Sequence, residues 1–256
     1  MTAINLNADM GESFGAYTIG ADEALLNSVK SANIACGYHA GDPVVMQKTV
    51  KNALAKGVSL GAHPGFPDLQ GFGRRPISMA LNEVYAMTVY QIGALMGVAQ
   101  SQGGRVSHVK PHGALNNMAC EDAALADILC KAVKDIDKDL IFLAPALSEL
   151  SKAGKRAGLR VAEEIFADRA YTQTGSLVSR KVDGAVIHDA QTCLNRVLEM
   201  VDKGALISID GTILETPIHS ICVHGDTPQA CETAAYILNG LNESGLNVLT
   251  LDAMLL

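Results

Sequence analysis

SANIACGYHAGDP, residues 31–43, contains a complete structural unit. An apolar run over 31–36 reads as a buried strand. The glycine-punctuated turn that follows ends on Asp42-Pro43, an N-cap residue joined to a first-turn proline, which starts a helix. The unit recurs along the chain. Apolar runs at 3–8 (AINLNA), 31–36 (SANIAC), 58–63 (VSLGAH), 105–110 (RVSHVK), 139–144 (DLIFLA), 159–165 (LRVAEEI) and 219–224 (HSICVH) predict about seven strands. Helical periodicity fills most of the gaps. Leu125, Ile128, Leu129, Ala132 and Val133 form one stripe, and Leu194, Val197, Leu198 and Val201 another. Gly57, Gly103 and Gly204 follow helix ends, and Thr227-Pro228 repeats the cap-plus-proline start.

Strands joined by helices must be parallel, because only a crossover returns the chain to the same sheet edge. No Pro/Ser-rich linker or charge run divides the chain, so residues 1–256 are expected to form a single domain. No Gly-x-Gly-x-x-Gly follows the first strand. With about seven strands, a closed or nearly closed TIM-like (β/α) barrel is therefore expected rather than a doubly wound sheet. The polar stretch 166–188 is expected to fold over the barrel mouth. Residues 205–217 are expected to form a short hairpin turning at Asp210-Gly211.

Composition excludes several classes. Hydrophobic residues make up 48% and charged residues 18%, enough for a sizeable core. The net charge is −7 and there is no run of Lys or Arg, so neither nucleic acid nor an anionic membrane surface is expected as a partner. No apolar stretch approaches the roughly 20 residues that span a bilayer. The start of the chain lacks the pattern of a signal peptide. The six cysteines (36, 120, 130, 193, 222, 231) show no CxxC, which reads as reduced thiols in a cytoplasmic protein. The uneven feature is glycine: ten of the 24 lie between Gly11 and Gly73.

In a parallel barrel the carboxyl ends of the strands converge on one face, where active sites form. Strand one ends in Asn7, Asp9 and Glu12. Strand two leads to His39 and Asp42, strand three to His63 and Asp68, and strand four to Lys110 and His112. Strand six leads to Glu163, Glu164, Asp168 and Arg169, and the last strand to His224 and Asp226. Only strand five, ending in Leu143 and Ala144, brings no reactive group. Simpler roles exist for each residue. Asp42 and Asp226 precede proline-started helices and could act as caps alone, and Asp9 could close an Asx-turn. His112 could pin a turn, and His63 could be a hydrogen-bonded core histidine. His108 should face the same side as Lys110, deeper in. His188 and His219 lie off the pattern. Turn chemistry does not readily explain six strand ends of seven behaving alike. The glycines flank these same residues, where main chain must approach a small ligand.

His39, His63, His112, His224, Asp9 and Asp226 could supply three metal ligands. There is no HExxH, however, and Pro111 breaks the helical spacing of His108 and His112, so no bound catalytic metal is expected. No Gly-x-Ser-x-Gly elbow or P-loop is present. Lys110, Arg169, Arg74 and Arg75 are the cations available to a phosphate or carboxylate.

Six ordered blocks then carry a resemblance: NLNADMGESFG, SANIACGYHAGDP, GAHPGFPDLQGFGRR, VKPHGALNN, EEIFADRAY and ICVHGD. They resemble the signature blocks of the LamB/YcsF lactam-utilisation family from about Ile4 to Asp226. Asn5 departs from an Asp frequent in the first block, and Asn116 from the Tyr usual after KPHGAL. The resemblance implies a barrel related to the polysaccharide-deacetylase barrels. It also implies cleavage of the 5-oxoproline (pyroglutamate) lactam to L-glutamate, a C–N bond hydrolysis coupled to conversion of ATP to ADP and phosphate. ATP, together with Mg, would be the co-substrate, and 5-oxoprolinase subunits B and C the partners. No nucleotide motif transfers residue by residue. On this reading Asp9, Glu12, His63, Lys110, His112 and Glu164 carry the chemistry. Asn7, His39, Asp42, Asp168, Arg169, His224 and Asp226 bind or orient substrate. Two other readings fit the same residues: a metal-dependent amidase or deacetylase acting alone, and a non-catalytic substrate-binding or regulatory subunit.

Overall fold

A computed structural model describes residues 3–224 and 228–254. Its strands are β1 (Ala3–Met10), β2 (Ser31–Ala35), β3 (Ser59–His63), β4 (Val106–Val109), β5 (Ile141–Pro145), β6 (Arg160–Phe166), β7 (Ala205–Ile207), β8 (Ile213–Glu215), β9 (Ser220–Val223) and β10 (Asn247–Val248). Its helices are α1 (Asp22–Leu25), α2 (Pro43–Ala55), α3 (Leu81–Ser101), α4 (Gly113–Ala119), α5 (Ala123–Ile136), α6 (Glu149–Ala157), α7 (Ala190–Lys203), α8 (Pro228–Glu243) and α9 (Leu251–Met254).

β1 to β6 pair in sequence order, and β9 closes the ring by pairing with both β6 and β1. All of these pairings are parallel. The result is the expected closed seven-stranded barrel. The seven predicted strands are all present, with ends that differ by a residue or two. β7 and β8 form the expected hairpin, antiparallel from Ala205↔Glu215 to Ile207↔Ile213. Asp210 and Gly211 lie at its turn, with Gly211 at φ +86. The sequence pattern held no signal for β10, which adds a short pairing to the foot of β1.

Period-two alternation decides what fills the barrel. On β1, Ile4, Leu6, Ala8 and Met10 belong to the apolar layer, whereas Asn5, Asn7 and Asp9 enter the side-chain network that spans the barrel. Low in the barrel, Asn5 Nδ2 donates to Ser31 Oγ at 2.9 Å and Ser220 Oγ donates to Asn5 Oδ1 at 2.6 Å. A second apolar cluster joins Ile141 and Leu143 of β5, Ala162 of β6 and Leu251 of α9. The large apolar layer lies between the strands and the surrounding helices. α5 and α7 bury Leu125, Leu129 and Val133, and Cys193, Leu194 and Val197, respectively. No described helix is long and apolar enough to cross a membrane. Among the described residues all six cysteines are free.

Candidate functional site

The carboxyl ends of the strands open into a cavity of about 750 Å³, with Asp9, His63, Lys110 and His112 among its lining residues. Residues of the 166–188 stretch, from Phe166 to Arg180, form much of the wall, as expected of a segment over the mouth. Two short antiparallel bridges, Arg169↔Val186 and Tyr171↔Leu177, fold that stretch on itself.

Lys110 is the centre of the arrangement. Its ammonium lies 3.0 Å from Glu164 Oε1, 3.1 Å from Asp9 Oδ1, 3.3 Å from Asn7 Oδ1 and 3.2 Å from Cys222 Sγ. Four acceptors surround three N–H donors, so a ligand oxygen must displace one of them. Asn7 Nδ2 fixes Glu164 from the side by donating to Oε1 at 2.9 Å. Burial works against the Lys110 charge, but Asp9, Cys222 and Glu164 outweigh it and hold the pKa well above the ordinary lysine range. Burial also opposes the Asp9 charge, yet His63 and Lys110 hold that carboxyl well below its usual range. Glu164 shifts the other way: burial raises its pKa despite Lys110, and its Oε2 has no hydrogen-bond partner. The neighbouring Glu163 faces outward on the strand and accepts from Ser151 and Lys155.

The histidines are oriented by main-chain carbonyls. His63 Nδ1 donates to the Lys110 carbonyl at 2.7 Å, and His112 Nε2 donates to the Phe72 carbonyl at 2.8 Å. Their other nitrogens, His63 Nε2 and His112 Nδ1, face each other at 3.0 Å, with Asp9 Oδ2 3.3 Å from His63 Nε2. His39 is fully buried and stacks on His112 with ring centroids 3.7 Å apart. A Cβ on Gly65 would come within 2.6 Å of His39 Nδ1, and one on Gly73, at φ +62, within 2.7 Å of His39 Cβ. Glycine at these turns is a packing requirement. Glu12 reaches the same area: one ligand atom from each of Glu12, His39, His63 and His112 lies within 4.8 Å of the others.

The remaining candidates occupy different positions. Asp42 caps α2, accepting from Val44 and Val45 through Oδ1, while its Oδ2 accepts from Gly15 N. It is not among the residues that line the cavity. Asp168 and His224 pair at 2.7 Å, and His224 reaches the cavity wall. Arg169 also lines the wall, but Nε and Nη2 donate to the Ala185 and Val178 carbonyls and tie the 166–188 segment together. Asp226 and the cap position Thr227 lie outside the described residues. His108 sits deeper than Lys110, as expected, with Nε2 3.0 Å from Asn33 Oδ1.

Sequence reasoning passed over Asn33, Cys222 and Phe72. Asn33 Nδ2 bonds both Asn7 Oδ1 and Asp9 Oδ1, at 2.7 and 2.9 Å. Its signal was an amide inside an otherwise apolar run. Phe72 has a φ of +54, and nothing local marks its carbonyl as the partner of a histidine forty positions on.

The LamB/YcsF family model matches residues 4–255. The chain belongs to the LamB/YcsF family. The 5-oxoprolinase A subunit from Azoarcus sp. (strain BH72) is 58% identical, over 99% of each chain. The crystal structure of a lactam utilization protein from Thermus thermophilus is 40% identical. It superposes with a TM-score of 0.92, covering 97% of this chain and 100% of the other. The polysaccharide deacetylase Bc1974 from Bacillus cereus, 16% identical with a TM-score of 0.50, covers 98% and 92% and shows that this LamB/YcsF barrel shares its fold with the deacetylases.

Proposed function

We propose that this LamB/YcsF chain is the barrel subunit of an ATP-dependent 5-oxoprolinase, a hydrolase that opens the 5-oxoproline lactam to L-glutamate. The observation that carries the reading is the ion cluster on the cavity floor. A buried ammonium held between two carboxylates suits an amide carbonyl oxygen, and Arg74 and Arg169 on the wall of the same cavity suit the ligand's carboxylate. The names of its relatives point to the same substrate.

A five-membered lactam is a stable amide. Phosphorylation of its oxygen by ATP makes the ring carbon electrophilic. Water then adds to that carbon, the C–N bond breaks with its electron pair leaving on nitrogen, and an acyl phosphate results. A second water releases phosphate and glutamate. Lys110 neutralises charge on the oxygen, where a fixed cation in a dry site counts for most. Asp9, held ionised and lining the cavity, takes the water's proton. Glu164, beneath it, orients Lys110 with Asn7. The departing nitrogen gains its proton at the floor, where His63 and His112 meet. His39, Glu12, Arg169 and the Asp168–His224 pair shape the ligand's surroundings. Subunits B and C complete the complex in the cytoplasm, and ATP, together with Mg, is the co-substrate.

Reconstitution tests this reading. Subunits B and C are combined with and without this chain, and 5-oxoproline-dependent ADP release and glutamate are measured. Glutamate formation should require the chain, and Asp9→Asn should lower it by about 10²-fold or more with the fold unchanged by circular dichroism. Full glutamate output without the chain would overturn the proposal. Near wild-type output from Asp9→Asn would remove Asp9 as the base.

A further inference from the structure

A neutral imidazole carries one N–H and one lone pair. His63 and His112 each donate that N–H to a main-chain carbonyl. When both rings are neutral, two lone pairs meet at 3.0 Å, between His63 Nε2 and His112 Nδ1, and the gap is left to a proton or a metal ion. Asp9 Oδ2 adds a third acceptor 3.3 Å from His63 Nε2. Such a contact is repulsive unless a cation occupies it. Beside it, His39 is fully buried, and neither of its nitrogens has a hydrogen-bond partner. Leaving such a group unsatisfied is costly, so a buried orphan points to a missing partner.

We propose that Glu12, His39, His63 and His112 bind one divalent transition-metal ion of the zinc, cobalt or nickel type. The donors come from four successive strand ends, those of β1, β2, β3 and β4, which explains why no sequence motif announces them. Imidazole with one carboxylate suits these ions, whereas magnesium and calcium favour all-oxygen sites. Two nitrogens on a tetrahedral ion with bonds of 2.0–2.1 Å lie about 3.3 Å apart, close to the His63–His112 separation. Carbonyl groups on the far nitrogens orient both rings, as the outer partners of metal-bound histidines do. Loading requires His39 to tilt out of its stack with His112, and its nitrogens have no competing hydrogen bonds to break. Asp9 places negative charge beside the ion. A bound metal would supply Lewis acidity on the cavity floor. The proposal rests on nitrogen positions and not on substrate; in the metal-loaded form the ion takes the place of the proton that His63 and His112 hold in the lactam reading.

The full chain, stripped with a chelator, is titrated with Co(II) and Zn(II) by calorimetry, and visible absorption follows the Co(II) form. One ion per chain is expected, with a Co(II) spectrum displaced by Zn(II) and a rise in melting temperature. His39→Ala and His112→Ala should weaken binding at least tenfold, and Glu12→Gln, at the partly exposed ligand, should weaken it and alter the spectrum. If the alanine variants fail to fold, Glu12→Gln and His39→Gln carry the comparison. Failure of folded wild-type protein to take up one ion at millimolar metal would overturn the proposal, leaving a proton in the gap. So would uptake unchanged in folded variants. Binding is measured without substrate or partner subunits, so loss of the metal proposal leaves the lactam proposal standing, and the reverse also holds.

Discussion

Gly61 has no side chain because His108 occupies that space. A Cβ at this strand position would sit 2.1 Å from His108 Nε2, in a ring that also contacts Ser107 and Asn33. Gly61→Ala should cost about 1–3 kcal/mol through overpacking. Gly93→Ala, with nothing within 4 Å of the added carbon, should gain up to about 1 kcal/mol from helix propensity. Urea unfolding of both variants checks the pair, and equal stabilities would show that the barrel yields at His108. At this scale much of the site was legible. Alternation alone separates Asn5, Asn7 and Asp9 from their apolar neighbours, and Glu164 from Glu163. What was not legible depends on a partner distant in sequence: the carbonyl of Phe72 under His112, or Asn33 bridging Asn7 and Asp9.

Among the elements, α2 shows how a turn residue is assigned. The Asp42-Pro43 pair starts the helix as its chemistry predicts, and the capping carboxylate also leaves room for a second bond to Gly15. Asp42→Ala should therefore lower stability by about 1 kcal/mol, a typical N-cap loss. In the reconstituted enzyme it should leave the KM for 5-oxoproline unchanged. A KM raised tenfold would return Asp42 to the ligand-binding set. Periodicity located α5 and α7, and short apolar runs located all seven barrel strands. Both missed β10, a two-residue pairing too short to show a pattern. The stripe on α5 also sits slightly off its prediction, with Ile128 only partly buried while Ala126 and Cys130 are buried.

Across the molecule, thiols are stored in dry places. Burial pushes Cys36, Cys120 and Cys130 up to about 12, and Cys193 up to about 11. Unfolded thiols ionise near 8.5. From about pH 8.5 upward the folded chain keeps protons that the unfolded chain gives up, so unfolding releases them and stability falls as pH rises. Below that window the thiols contribute no pH dependence. Urea midpoints should hold steady near neutral pH and decline toward about pH 10.5, and Cys130→Ala should flatten the decline. A midpoint unchanged over the same range would contradict this account. Barrel closure was legible in the sequence only as an expectation drawn from strand count. The register that closes it joins residues more than two hundred positions apart.

That closing seam sets an order of events during synthesis. β1 emerges first, yet Asn5 and Asn7 find Ser220 and Cys222 only when β9 has been made. Until then the growing sheet has two open edges, and its polar inner face lacks its last hydrogen-bonding wall. A ribosome-bound chain stopped before residue 219 should remain a sticky, protease-sensitive intermediate, because long-range parallel pairing forms slowly and leaves edges exposed while it waits.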